Sequence, residues 1–503
     1  MPLPDPLLSK LSEHVAEQMG LYFPQDRWRD LESGIGAAAR ELGLPDAAAY
    51  GRDLLADKLS QQQIEVLAGA LTIGETYFLR DPRSFEILSE HVFPELIRAR
   101  RGSERRLRIW SAGCCTGEEA YSIAVMLDRL LPDLSDWQIT LLATDLNSRF
   151  LRKAAAGVFS EWSFRGTPAW LKERYFRPLP GRRFALAQRI KSMVTFAYLN
   201  LGEDVYPSLA NNTNAMDLIL CRNVLMYFSV ERAARVVRSF HRSLMSTGWF
   251  LVSAVEASPQ FNSHFVPARF EGATLYRKRN EFDVQPVEPL ACGAAFVAPE
   301  IAPDFTHDSK KENTLAPVRA LEPDVALMQA PQVDAAAIDN YAAALELFER
   351  GNYAAAAELL KADAVAAAPA VHSATLLARI YANLGELAEA REWAERAIAA
   401  DRTDAVSHYL RAVILQEQSR VDEASEALQK TLYLEPRFVL AHFALANLVQ
   451  RQGRPAAAAR HFANALALLR RYDDNDVLPH SDGMAAGRLK QMIQSISPVE
   501  SVA

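Results

Sequence analysis

Cysteine is scarce in this chain and carries no pattern: among 503 residues, the four cysteines Cys114, Cys115, Cys221 and Cys292 form no CxxC pair and no metal spacing with histidine. That excludes a disulfide framework and supplies no metal site. Long apolar runs are missing too, and the N-terminus, with Pro2, Pro4, Asp5 and Pro6, has no basic segment leading into an apolar core. Neither a leader nor a membrane insertion is expected, and a reducing, cytoplasmic setting follows. No lysine or arginine run dominates and the formal net charge is −7, which argues against nucleic acid as a partner. One local cluster, Arg98, Arg100, Arg101, Arg105, Arg106 and Arg108, reads as a solvated basic connection between a helix and a strand. What the chain does have is apolar residues, at 50%, and a length that implies about two to four domains.

Apolar spacing divides it. Leu7, Leu11, Val15 and Met19, then Ile64, Leu67 and Leu71, recur at helical intervals, so residues 1–75 are expected to form a small helical cap. Over 76–280 helices alternate with apolar strands, the pattern of an α/β domain with a mostly parallel, doubly wound sheet. Short β-like pieces broken by Pro178, Pro180 and Gly181 mark an inserted β-subdomain over about 158–200. Residues 281–335 hold seven prolines, scattered acids and few aromatics, and read as a flexible linker. Beyond it Gly351, Gly385, Ser419 and Gly453 fall 34 apart, each followed five positions later by Ala356, Ala390, Ala424 or Ala458. That phase resembles the tetratricopeptide repeat and implies four copies over 336–472, an all-α solenoid with a concave groove for a protein or peptide ligand. Residues 473–503 are left as a C-terminal tail.

The stretch Ile109-Trp-Ser-Ala-Gly-Cys-Cys-Thr-Gly-Glu-Glu-Ala-Tyr-Ser-Ile-Ala124 reads as strand, turn and helix. Gly113 and Gly117 bracket the turn, where glycine permits positive φ and close approach of backbone N–H groups to a ligand. Glu118 and Glu119 would repel a phosphate, so a ligand with cationic or hydroxyl groups is the better guest. About one βα unit later an apolar strand ends in Asp145, placed to accept hydrogen bonds from ribose hydroxyls. A nucleoside without a phosphate tail suits the pair, and S-adenosylmethionine fits best.

Two further segments carry polar groups beside apolar runs. In Thr72-Ile-Gly-Glu-Thr-Tyr-Phe-Leu-Arg-Asp-Pro82, Thr76 and Arg80 are four apart, and one helical turn would set both on a face toward the cofactor turn. Arg80 suits a carboxylate partner, or alternatively a salt bridge holding the cap to the sheet domain. Asp217-Leu-Ile-Leu-Cys-Arg-Asn-Val-Leu-Met-Tyr-Phe228 is a buried strand running into Arg222, Asn223 and Tyr227, and Asn200-Leu201 ends the preceding strand likewise. Polar residues after such strands sit at the carboxyl edge of the sheet, where open α/β folds bind ligands.

Taken in order, these elements resemble the CheR family of chemoreceptor glutamate O-methyltransferases over about residues 1–280. The resemblance implies an S-adenosylmethionine-dependent methyltransferase sheet with cofactor contacts from Thr76, Arg80, Glu119, Asp145, Asn200, Leu201, Arg222 and Asn223, beside the turn glycine Gly113. Gly74 stands where the family commonly has asparagine, and Ala120 replaces the usual proline. The resemblance also implies that the β-subdomain meets the cytoplasmic domain of a methyl-accepting chemoreceptor, with Arg27, Arg29 and Arg40 as candidates for a basic face on the cap. Methyl transfer to a glutamate carboxylate yields a methyl ester and S-adenosylhomocysteine and needs no general base, since the acceptor is already ionised. Arg80 is expected to orient the incoming carboxylate and Tyr227 to pack near the reacting methyl, with no essential histidine or cysteine and no metal. Two alternatives stay open: a tetratricopeptide scaffold whose cofactor-binding domain is catalytically inactive, and an enzyme acting on a small carboxylic acid.

Overall fold

Leu8, Leu11, Val15 and Met19 line the buried face of the first helix, Asp5–Met19, and pack with Leu31, Ile35, Leu54 and Leu67 from the helices Trp28–Glu41, Ala47–Leu54 and Gln61–Leu71. Ser60 and Gln63 close the last of these with a capping box, each satisfying an otherwise unpaired N–H at the helix start. The computed structural model describes residues 3–102, 104–203, 205–279, 335–366 and 370–496. The proline-rich linker expected over 281–335 lies, but for its last residue, outside the described residues.

The strands are β1 Arg106–Ala112, β2 Gln138–Asp145, β3 Val158–Ser160, β4 Phe176–Leu179, β5 Arg183–Leu186, β6 Val194–Tyr198, β7 Met216–Leu220, β8 Leu244–Leu251, β9 Phe265–Phe270 and β10 Ala273–Lys278. Seven form one sheet in the order β6-β2-β1-β7-β8-β10-β9, parallel from β6 to β8 and finished by an antiparallel hairpin. β1 is buried along its whole length and β2 over residues 141–144, as strands covered by helices on both faces must be. The chain winds outward from β1 through β2 to β6 and on the other side through β7 to β8. β1 and β7 therefore flank the switch point, where a crevice opens at the carboxyl ends of the strands.

The remaining three strands form a separate antiparallel sheet, β3-β5-β4, around Phe159, Phe164 and Phe176. The sequence grouped Val194–Tyr198 with this insertion. It is instead the edge strand of the main sheet, paired in parallel with β2, because its apolar residues continue that sheet's buried layer.

Eight helices follow in four antiparallel pairs, from Ala335–Glu349 with Tyr353–Ala366 to Val439–Arg451 with Pro455–Leu469. Gly351, Gly385, Ser419 and Gly453 all take left-handed backbone at the turns, with φ of 83°, 79°, 57° and 72°. Ala356, Ala390, Ala424 and Ala458 are buried where paired helices touch, a place only a small side chain fits.

The repeats lean on the sheet through buried charge. Arg106 and Arg108, read from sequence as solvated, are almost fully buried and meet the Glu417 carboxylate of the third pair at 3.3 and 3.4 Å. Arg108 also donates to the Asn212 and Asn214 carbonyls, while Asn214 donates to Glu417 at 3.1 Å. The adjoining loop carries Leu209 and Ala210 into the concave side of the repeats, beside Tyr409, Leu410 and Val413, so the chain itself fills part of the expected groove. The segment left as a tail contains the helix Ala486–Ile496, whose buried Arg488 pairs with Glu203 of the sheet domain at 3.3 Å. Glu417→Ala removes the carboxylate that two buried guanidinium groups share, and a loss of about 3–5 kcal/mol is expected. Chemical denaturation checks this, Glu417→Gln serving as the milder variant that keeps one acceptor.

Candidate functional site

The β1 turn is built by backbone hydrogen bonds to the neighbouring strand. Gly113 and Cys114 donate to the Thr144 carbonyl at 2.8 and 2.9 Å, and Cys115 N–H donates to the Asp145 carboxylate at 2.8 Å. Gly113 is required there: its φ is +81°, and a Cβ would lie 2.3 Å from Val224 Cγ2. Gly117, at φ +94°, is held by packing against Ala154 and Phe196 rather than by the cavity. Asp145 also accepts from Asn147 N–H at 2.8 Å, which leaves lone pairs on both oxygens for a ligand's hydroxyls. Burial pushes its carboxyl up to about 6, against the pull of those two N–H donors.

The two glutamates after the turn part company. Glu118 is buried, accepts from Thr116 and Ser163 hydroxyls at 2.6 and 2.9 Å, and faces the β-subdomain. Burial raises its pKa. Only Glu119 lines the cavity, where it accepts from Ser111 Oγ at 2.7 Å and pairs with Arg222 at 3.3 Å. The phosphate-repelling pair inferred from sequence is thus one acid, and a neutralised one.

Arg222 follows β7 with its side chain 3% exposed, and besides Glu119 it reaches the Arg80 carbonyl at 2.8 Å and Asp81 at 3.2 Å. Those contacts fix the Thr72–Pro82 segment, which is not the helical turn expected from the spacing of Thr76 and Arg80. Leu79 and Asp81 take left-handed φ of 55° and 63°, Phe78 is drawn into the aromatic cluster with Phe159, Phe164 and Phe176, and Arg165 stacks over Tyr77. The segment runs as an irregular strap over the crevice, with Arg80 Nη1 donating to the Glu75 carbonyl at 2.6 Å. Gly74 has its own reason: a Cβ would meet the Phe150 ring at 2.6 Å, so this chain places a phenylalanine where an asparagine side chain would need room.

Asn223 takes φ 58°, and its N–H and that of Val224 each donate to Glu256 at 2.6 Å. Buried Glu256, in the loop after β8, was missed by sequence reasoning. Asn200 donates to the Gln18 carbonyl at 3.2 Å and accepts from Gly202 N–H, joining the cap to the sheet. Tyr227 sits against the cap as well, its carbonyl accepting from Tyr22 N–H and its ring stacked under Arg27, the cap arginine singled out above. Arg29 and Arg40 are exposed.

One cavity at the carboxyl edge gathers Thr76, Arg80, Gly113, Glu119 and Asp145 with Asn200, Leu201, Arg222, Asn223 and Tyr227. Leu71, Leu146, Phe150 and Leu199 supply apolar wall. An acid with free lone pairs, backbone at a glycine turn and apolar walls fit the ribose and adenine of S-adenosylmethionine. Burial pushes the Cys115 thiol up to about 12 and also raises those of Cys114 and Cys221, so none offers a thiolate. Among the described residues no group of three or more His, Cys, Asp or Glu is placed to hold a metal ion. None of the described helices is long and apolar enough to cross a membrane.

A model of the CheR methyltransferase SAM-binding domain matches residues 74–271, and a tetratricopeptide-repeat model matches residues 347–414. The chain is 33% identical over 219 residues to chemotaxis protein methyltransferase 2 of Vibrio cholerae, covering 44% of this chain and 74% of that one. It is 35% identical over 219 residues to chemotaxis protein methyltransferase 1 of Pseudomonas aeruginosa, covering 43% and 77%. A longer match, 27% identical over 412 residues and covering 80% and 85%, is to the probable biofilm formation methyltransferase WspC of Pseudomonas aeruginosa.

Hydroxyl donors from a bound ribose favour the charged form of Asp145, so binding pulls its pKa down from about 6 and releases a proton. Affinity for S-adenosylhomocysteine is therefore expected to hold above about pH 7 and to weaken as the pH falls through about 6. Calorimetry across that window checks it, and Asp145→Asn should bind weakly and lose the pH dependence.

Proposed function

Because the chain belongs to the CheR methyltransferase family and carries C-terminal tetratricopeptide repeats, we propose that it methylates glutamate side chains of a methyl-accepting chemoreceptor in the cytoplasm. The products are the glutamate methyl ester and S-adenosylhomocysteine. The observation that carries this reading is the convergence of all ten candidate residues, from five separate stretches of chain, on one crevice at the switch point of the sheet.

S-adenosylmethionine supplies an electrophilic methyl group when bound. The protein's task is then alignment and exclusion of water, because an ionised carboxylate needs no base. Asp145 and Asn200–Leu201 hold the nucleoside side of the cavity, and Glu119 and Arg222 hold the side beneath the strap. Arg80, on that strap and only partly buried, orients the incoming carboxylate through its guanidinium fork. Tyr227 packs beside the reacting centre, backed by the cap. The β-subdomain contacts the receptor, and the repeats hold a protein or peptide partner.

Incubation with receptor fragments and labelled cofactor should yield base-labile label on glutamates. In Arg80→Ala, transfer should fall on the order of 10²-fold while S-adenosylhomocysteine binding survives. Unchanged turnover would remove Arg80 from the reaction, and cofactor binding without any label on receptor would favour the inactive scaffold.

A further inference from the structure

The helix Val230–Ser243 presents Arg232, Arg235, Arg238 and Arg242 at intervals of three and four, which places them along one face. The face carries Arg235 and Arg238 exposed and Arg232 and Arg242 half-buried. It forms one wall of a cleft of about 570 Å³ whose other wall brings Arg279, from the end of β10, and Arg350 from the first repeat turn, with His241 and His264 between. Six guanidinium groups thus surround one concavity, and the acid lining it, Glu203, is paired with Arg488. Arg235 and Arg238 make no hydrogen bond or ion pair among the described residues, and Arg279 Nε is buried without an acceptor. Burial and the Arg238 charge together lower the pKa of His264, and burial with the Arg235 charge lowers that of Arg232. Positive charge is therefore crowded along one cleft: Arg350 pairs with Glu346, while among the described residues Arg232, Arg235, Arg238 and Arg279 have no ion pair.

We propose that this cleft is a binding site for a compact ligand carrying two or more phosphate groups. Guanidinium forks match phosphate oxygens bidentately, and the four without an ion pair exceed what a single phosphate would neutralise. A cleft of this size is in the range of small-molecule sites, and the repeat turn at Arg350 and Asn352 is part of its lining. The ligand bridges the sheet domain and the first repeat. It also has a path to the cofactor cavity: Arg232 donates to the Gly202 carbonyl at 2.7 Å, and Leu201 lines both spaces.

The test uses the full chain saturated with S-adenosylhomocysteine, so that the cofactor cavity is closed to nucleotides. Tripolyphosphate, ATP and inorganic phosphate are titrated by calorimetry at physiological ionic strength, with a poly-glutamate peptide as competitor. Tripolyphosphate should bind saturably, at least about tenfold tighter than inorganic phosphate, and about tenfold or more weaker in Arg235→Glu/Arg238→Glu. ATP binding equally well means that the phosphate chain alone is read; ATP binding much tighter means that the nucleoside is read too, and both outcomes support the site. If the double variant loses S-adenosylhomocysteine binding, Arg350→Glu on the opposite wall is used in its place. Absence of saturation, equal affinity in the variant, no preference over inorganic phosphate, or displacement by the acidic peptide at lower concentration would overturn the proposal.

Discussion

One buried guanidinium organises the crevice. Arg222 leaves the end of β7 with almost no solvent contact, and a charge so placed is tolerable only because Glu119, Asp81 and the Arg80 carbonyl surround it. Arg80 and Asp81 belong to the strap and Glu119 to the helix after the β1 turn, so satisfying the arginine forces the strap, that turn and the β7 loop into one arrangement. Glu256 does the same from behind, taking the N–H groups of Asn223 and Val224 that the loop would otherwise leave unpaired. The cavity is thus shaped by electrostatic satisfaction at its floor, with hydrophobic packing closing it from the cap.

Patterns with a short period were legible in the sequence, and contacts between distant segments were not. The strand, turn and helix around Gly113 follow from local chemistry, and the fixed interval of Gly351, Gly385, Ser419 and Gly453 marks turns that need left-handed backbone. Thr76 and Arg80 were misread because spacing alone cannot reveal that Phe78 is pulled into an aromatic cluster formed by the later insertion. Glu118 and Glu119 looked equivalent as neighbours on a chain, yet successive positions on a helix lie about 100° apart, and one turns to Ser163 while the other turns to Arg222. Arg106 and Arg108 looked solvated because their partner, Glu417, lies some three hundred residues away. Glu256 was overlooked because it lies in a loop five residues beyond β8 with no motif around it.

The repeats show how a general scaffold is bent to one chain. Their alanine contacts and left-handed turns are those of any such solenoid, but Asn214 and Leu209 of the sheet domain engage their inner side. A surface of a kind that commonly takes up foreign peptides here takes up part of its own protein, and what remains of the groove is correspondingly narrower.

The joint at Glu417 has a consequence for reach. Two modules tied only by a loose cord can bring cargo to a reaction centre from any direction, and the cord's length sets the local concentration. Here the buried contacts clamp the solenoid to the far end of β1, the end opposite the crevice, so under the proposed function a cargo held by the repeats starts from a set distance and bearing. The slack has to come from the cargo. Which side chains arrive at the crevice is then decided by the length of tether between the gripped segment and the acceptor, as in a jig whose arm does not swing.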